Sequence, residues 1–190
     1  MPLDFHDPST PIGDDGTVGE FWQWAMSDML NNRNRGILAE YLVGKALGAD
    51  TLASPRLEWD CYDLLYGDTK IEVKSSAYVQ AWHQSTQERS TIKFGVGEHD
   101  CWDAKTNIYD ATKKRHADIY VFCVFPAERS DPTIDVLDVA KWAFYVITTD
   151  ALNAEIGTQA SIGITRIRQL CGDAVRYTDL KTQIDTLIAE

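Results

Sequence analysis

The feature that most constrains the fold is an apolar run, DIYVFCVF, which extends from Asp118 to Phe125 and is closed by Pro126. Near-continuous apolar runs of this length are typical of central strands that are buried on both faces of a sheet. The predicted elements follow one another as helix, hairpin, strands and helices. This order predicts one α/β domain around a mixed sheet flanked by helices.

Helices are predicted on both sides of the strand region. Thr17 and Glu20 have the spacing of a capping box, so the first helix is expected to begin there and to end at Asn31-Asn32. Its expected apolar face consists of Phe21, Trp22, Ala25, Met29 and Leu30. Short helices are expected in the C-terminal third, near Leu152, from Ile164 to Cys171 and from Asp179 to Ala189.

The other strands are predicted from short β-type segments. They are expected at Pro55–Trp59, 60–66, 70–76, Thr91–Val96 and Trp142–Thr148. Residues 98–115 are expected to form a loop that contains one helical piece.

Length and composition predict a single domain over residues 1–190, with residues 1–16 as an irregular or disordered arm. A hydrophobic content of 44% and a charged content of 25% are ordinary for a globular protein. The sequence has no apolar run of the roughly 18 residues that a membrane span requires, so we expect no membrane partner. The arm carries four Asp and no Lys or Arg, which does not fit a targeting peptide, and a cytoplasmic location is therefore predicted.

The four cysteines, Cys61, Cys101, Cys123 and Cys171, form no CxxC pair. Cys61 and Cys123 lie in apparent strands. We therefore expect reduced and mostly buried thiols, and no structural zinc site.

The net charge of −11 and the pI of about 4.7 argue against a protein that coats DNA without regard to sequence. An enzyme that contacts nucleic acid locally remains compatible with this charge. The basic run Lys113-Lys114-Arg115-His116 is a candidate contact, and a solvated loop is its alternative interpretation.

The stretch YDLLYGDTKIEVKSS predicts two strands joined by a tight turn. Two-residue hairpin loops favour Gly and Asp because such turns need a positive φ. A loop at Gly67-Asp68 places Asp63 directly opposite Glu72, where two carboxylates repel each other. The alternative loop, Asp68-Thr69, would instead place Asp63 opposite Lys74 as an ordinary ion pair.

Strand alternation places Asp63, Glu72 and Lys74 together on one face of this hairpin. Opposed residues have Cβ atoms roughly 4.5–5.5 Å apart, so the two carboxylates could share one divalent cation. The Val73 carbonyl is a further candidate oxygen ligand. The alternative is an exposed strand face with ordinary ion pairing.

A third acid is found on the helix that is predicted from Arg35 to Leu47, with Gly48 as its C-terminal cap. Glu40 lies at the centre of an apolar face, which is unusual for a charged residue on a surface helix. The neighbours on that face are Gly36, Ile37, Val43, Gly44 and Leu47. Either Glu40 is buried with a partner, or this face lines a polar site.

Glu40 in a helix, Asp63 in a strand and Glu72-Val73-Lys74 in the next strand together resemble the PD-(D/E)XK nuclease superfamily. The resemblance implies a restriction-endonuclease-like αβββαβ core with a mixed central sheet. It covers residues 35–76 by motif. The chain departs from the family pattern at Tyr62, which precedes the aspartate in place of proline.

The resemblance implies a DNA endonuclease that hydrolyses phosphodiester bonds with Mg²⁺ or Mn²⁺. Asp63, Glu72 and the Val73 carbonyl would hold the ion, Lys74 would orient or deprotonate a water, and Glu40 would bind the metal shell. A homodimer is a further expectation, since many relatives dimerise. Weaker candidates for substrate binding are Ser75, Gln80, Lys113, Lys114 and Arg115.

Two other classes of function stay open at this point. One is a nuclease-like fold without turnover, used as a regulatory module that binds nucleic acid or protein. The other is a metal-dependent hydrolase that acts on small phosphates.

Overall fold

A computed structural model describes residues 4–48, 52–58, 60–82, 89–103, 108–110, 112–128 and 134–189. The helices are α1 (Val18–Met26), α2 (Asn32–Leu47), α3 (Thr149–Ile156), α4 (Ile164–Cys171) and α5 (Leu180–Ala189). The strands are β1 (Pro11–Ile12), β2 (Gly16–Thr17), β3 (Leu64–Tyr66), β4 (Thr69–Ala77), β5 (Lys93–Gly95), β6 (Trp102–Asp103), β7 (Ile108–Tyr109), β8 (Ile119–Phe125), β9 (Ala143–Thr148) and β10 (Ser161–Gly163).

The centre of the molecule is a four-stranded sheet in the order β3-β4-β8-β9. The β3-β4 and β8-β9 pairs are antiparallel, whereas β4 and β8 are parallel, so the sheet is mixed as predicted. All seven residues of β8 are buried. The apolar run therefore forms a central strand, as the sequence indicates.

Helices cover both faces of this sheet, because β8 directs alternate side chains into two separate cores. Val121 and its neighbours on one face pack with Val43 of α2 and Ile184 of α5. Phe122 on the other face packs in a cluster with Leu152 of α3 and with α4. The chain is thus a mixed α/β protein with a sheet between two helical layers.

The predicted hairpin register is confirmed. Leu64 pairs with Ile71 and Tyr66 with Thr69, which leaves Gly67-Asp68 as the two-residue loop. Gly67 has φ of +59°, the left-handed conformation that such a turn requires. The alternative loop at Asp68-Thr69 is excluded by this pairing.

The predicted helices are present, with changes at their ends. Thr17 and Glu20 form the capping box of α1, but α1 already ends at Met26 and none of its residues is buried. Of the residues expected on its apolar face, Phe21 and Trp22 are exposed and Ala25 is half-buried, whereas Met29 and Leu30 lie beyond the end of α1 and are also half-buried. Helix α2 begins at Asn32 rather than Arg35, because the Asn31 side chain caps it by accepting from the Arg33 N–H.

Three predicted segments differ from the structure. Residues 55–58 form no strand, and Trp59 lies outside the described residues. The described part of residues 98–115 contains no helix and instead contains the short β6-β7 pair, while residues 104–107 and 111 lie outside the description. In the N-terminal arm, Pro11 pairs with Thr17 in a short hairpin.

The prediction of reduced thiols is wrong for two of the four cysteines. Cys61 and Cys101 form a disulfide with Cα atoms 5.3 Å apart, and Cys61 lies before β3 rather than in a strand. Cys123 is a buried free thiol and Cys171 is a half-buried one. The two bonded residues are 40 positions apart, so only the tertiary fold brings them together. The cytoplasmic location stays a prediction.

A membrane span requires a long, apolar helix, and the described part of the chain contains none.

Candidate functional site

The hairpin holds Asp63 against the strand that carries the second acid. Asp63 directly precedes β3, and its backbone N–H donates to the Ile71 carbonyl at 3.0 Å. Its carboxylate accepts a hydrogen bond of 2.7 Å from the Val73 N–H. The side chain therefore lies over β4 beside Glu72, and it is fixed by the backbone rather than by a flexible partner.

Asp63 and Glu72 repel each other, as the register predicts. Burial raises the pKa of Asp63 to about 6, and the nearby Glu72 carboxylate acts in the same direction. The Val73 N–H, Lys74 and Arg56 oppose this rise without cancelling it. Burial first and the neighbouring acid second therefore make the Asp63 carboxyl group take up a proton more readily than an isolated aspartate.

Lys74 supplies the positive charge of the cluster. Its Nζ donates to Oε1 of Glu72, a carboxylate with only 7% of its surface exposed. Burial acts to lower the pKa of Lys74, but Glu72, Asp63 and Glu40 together outweigh it and raise that pKa. Lys74 is therefore a cation at neutral pH in this arrangement.

Glu40 is buried in the middle of α2 with a partner that the sequence had not indicated. Arg56 donates from Nε to Oε2 and from Nη2 to Oε1 of Glu40, the second contact at 2.8 Å. Burial raises the pKa of Glu40 and Asp63 adds to the rise, while Arg56 and Lys74 oppose it. Glu40, Asp63, Lys74 and Arg56 thus form one interacting group of charges.

The sequence offered an indirect signal for Arg56. A buried carboxylate needs a cationic or hydrogen-bonding partner, which already requires a basic residue near Glu40. The strand predicted at residues 55–59 gives Arg56 no such role, and only the folded chain identifies it as the partner of Glu40.

Ser75 and Gln80, predicted as substrate contacts, lie around the buried side chain of Arg35. The Arg35 guanidinium donates from Nε to Ser75 Oγ at 3.3 Å and from Nη1 to Gln80 Oε1 at 3.1 Å. Gln80 itself is buried and donates to the Ala77 carbonyl at 2.9 Å. These contacts join the start of α2 to the end of β4, so both residues support the strand that carries the site.

Arg115, predicted as a substrate contact, is bonded within the fold. Arg115 is 5% exposed, and its guanidinium donates to three backbone carbonyls and one side-chain amide. The acceptors are Val96 O, Asn153 Oδ1, Gly157 O and Gln159 O. The neighbouring Lys113 and Lys114 are exposed and pair with Asp100 at 3.9 Å and Asp110 at 3.5 Å.

In the described part of the chain, the site offers only two of the carboxylate ligands that a hard divalent cation can use. Within the described residues, no three His, Cys, Asp or Glu side chains converge to surround an ion. Asp63 and Glu72 supply two carboxylates, and Glu40 is taken up by Arg56. Mg²⁺ commonly binds through one or two carboxylates and completes its shell with water and substrate phosphate oxygens. Two repelling carboxylates beside each other match that pattern.

Comparison with protein-family models, with characterised proteins and with solved structures gives no match to this chain.

Proposed function

We propose that the chain is a nuclease that hydrolyses phosphodiester bonds, most readily in DNA, with bound Mg²⁺ or Mn²⁺. The observation that carries this proposal is the repelling pair Asp63 and Glu72 with the cationic Lys74 beside it. Cations relieve such repulsion, and a bound metal ion with a neighbouring positive charge stabilises the negative charge that develops during phosphodiester hydrolysis.

Each residue of the cluster has a separate role in this proposal. The carboxylates of Asp63 and Glu72 would hold the ion, with the Val73 carbonyl as a candidate third ligand. The bound ion would polarise the phosphate and lower the pKa of a water molecule. Lys74 would orient that water and offset the negative charge that develops on phosphate oxygens. Glu40, fixed by Arg56, would hold water of the metal shell.

The arrangement of α2, β3, β4 and β8 supports a restriction-endonuclease-like core. The acids lie on a hairpin beside a helix, and β8 runs parallel to the strand that carries Lys74. The chain departs from the αβββαβ order in two places, and both departures argue against such a core. Residues 55–58 form no strand, and the described residues between β4 and β8 contain no helix.

Cleavage assays test the proposal. Supercoiled plasmid, linear duplex and single-stranded DNA are incubated with Mg²⁺ or Mn²⁺, and with a chelator as the blank. Asp63→Asn, Glu72→Gln and Lys74→Met should each slow cleavage by about 10²–10³-fold. Asp68→Asn, a matched change at the exposed turn of the same hairpin, should cleave like wild type.

The proposal fails if purified protein cleaves no form of DNA, or if the three site variants cleave like wild type. An additional panel of nucleotides and small phosphate esters separates a nuclease from a hydrolase of small phosphates.

The net charge of −11 bears on how DNA would be held. The substrate must meet a local basic surface, for which Lys113 and Lys114 are candidates, or a groove between two copies in a homodimer. Attraction between lysine side chains and phosphates is electrostatic, so we expect modest affinity that falls as the salt concentration rises. Tight DNA binding at high salt without metal would contradict this.

The second candidate is a nuclease-like fold that binds a partner without turnover. The ion pairs favour it, because Arg56 engages both oxygens of Glu40 and Lys74 engages Glu72. Acids that are already paired with side-chain cations need no metal to be stable when buried. DNA binding that is insensitive to chelator and never leads to cleavage would support this candidate.

A further inference from the structure

A cavity of about 990 Å³ lies directly beside the acid cluster. It is bounded by Ile37 and Tyr41 of α2, by residues 52–57, and by the start of the hairpin from Tyr62 onward. Asp63 is both a wall of this cavity and a member of the cluster. A molecule whose reacting group lies at Asp63 would therefore place its neighbouring part in the cavity.

The lining of the cavity is apolar and aromatic with a few charged groups. Ile37, Leu52 and Leu64 supply apolar surface, and Tyr41, with 52% of its surface exposed, supplies an aromatic side chain. Ligand sites are commonly apolar cavities of this size with a small number of polar groups that fix orientation. The lining suits a flat, uncharged ring better than a chain of charged groups.

The charges of the lining decide which part of a nucleotide could enter. Three acidic residues, Glu40, Asp60 and Asp63, line the cavity. One basic residue, Arg56, lies among them. A phosphate inside the cavity would be repelled by the Asp60 carboxylate, whose charge no metal ion offsets. A nucleobase carries no charge, and its ring and amino N–H groups could donate to the exposed Asp60 carboxylate, which has no role in the proposed metal site, while its face stacks on tyrosine.

We infer that this cavity binds the base of an unpaired nucleotide next to the phosphate that is cleaved. The inference rests on the proposed nuclease function, because that function places the phosphate at Asp63. A base inside a duplex is paired and stacked, so entry requires a single strand, a frayed end or an extruded nucleotide. The substrate class is therefore DNA with at least one unpaired nucleotide, and guanine, with several donors on one edge, is the best-matched base.

Binding of free nucleosides tests the cavity without metal or phosphate. Guanosine, adenosine, cytidine and thymidine are titrated into the protein and binding is followed by calorimetry or ligand-observed NMR. Tyr41→Ala removes the exposed ring, and Ala53→Trp places bulk at an exposed position of the wall. Each variant should weaken nucleoside binding about tenfold. Trp24→Ala, which removes an 83% exposed ring outside the cavity, is the matched control and should bind like wild type.

The inference and the proposed function fail in different ways. Nucleosides that bind no better to wild type than to Tyr41→Ala and Ala53→Trp, or that do not bind at all, overturn the inference. If nucleoside binding fails in this way while wild type cleaves duplex and single-stranded DNA at equal rates with metal, the nuclease proposal is kept and the base site is rejected. If nucleosides bind as expected but no DNA is cleaved, the base site stands and the nuclease function does not.

Discussion

The backbone N–H of Val73 donates a hydrogen bond of 2.7 Å to the carboxylate of Asp63. This bond fixes Asp63 over β4, next to Glu72 on the same strand as Val73. The carboxyl group therefore stays close to a second acid, and a backbone N–H rather than a side-chain cation holds it there.

The first prediction concerns stability and pH. The pKa of Asp63 is raised to about 6 in the folded protein, above its ordinary value in an unfolded chain. Between about pH 4 and pH 6 the folded state therefore holds a proton that the unfolded state has released, and stability falls as pH rises. Across this range the free energy of unfolding of wild type should fall by on the order of 2 kcal/mol because of Asp63, and Asp63→Asn should lack this contribution.

Denaturant unfolding from pH 4 to pH 8 measures this effect as the difference between wild type and Asp63→Asn. Asp63 contributes to the raised pKa of Glu40, so the difference reports Asp63 together with its interaction with Glu40. Asp68→Asn should keep the wild-type dependence on pH. Parallel curves for wild type and Asp63→Asn would show that Asp63 titrates normally.

The second prediction concerns the pair of Glu40 and Arg56. Arg56 bonds both oxygens of a carboxylate whose side chain is 11% exposed, so Arg56→Ala leaves a buried charge without its partner. We expect a loss of stability of about 1–3 kcal/mol, below the value for a fully buried pair because Arg56 is about one-third exposed. A double-mutant cycle with Glu40→Ala measures the coupling, and additive losses would contradict a direct interaction.

The third prediction concerns the cysteines. Thiol titration of the unreduced, denatured protein should detect two free thiols, Cys123 and Cys171, and titration after reduction should detect four. Replacing Cys61 and Cys101 together by serine should lower stability by roughly 2–4 kcal/mol, because the bond closes a 40-residue loop. Four free thiols before reduction would contradict the disulfide.

The fourth prediction separates a structural arginine from exposed lysines. Arg115→Met leaves four acceptors without their buried donor, so we expect a loss of stability of about 2–4 kcal/mol. Lys113→Met should change stability by less than about 0.5 kcal/mol, because its ion pair with Asp100 is exposed. A destabilised Lys113→Met with an unaffected Arg115→Met would reverse this assignment.

The hairpin and the central strand could be predicted because local chemistry determines them. Gly67 at a position that needs positive φ set the register of β3 and β4, and the unbroken apolar run identified β8 as buried on both faces. The position of Glu40 on an apolar helix face indicated burial with a partner. Each of these predictions depends on residues that are close together in the sequence.

The remaining features depend on contacts between distant segments. The bond between Cys61 and Cys101 and the four acceptors around Arg115 come from parts of the chain that only the tertiary fold brings together. The sequence indicates an apolar face on the first helix, but an amphipathic pattern does not show whether another element covers it, and no residue of α1 is buried. Arg56 was missed since the segment around it has no regular structure.

The most direct test of the central claim is calorimetric titration of Mn²⁺ into the protein. Wild type and Asp68→Asn should each bind one ion at the acid pair, and Asp63→Asn and Glu72→Gln should lose this binding. The absence of Mn²⁺ binding to wild type, or equal binding by all four proteins, would contradict a cation site at Asp63 and Glu72.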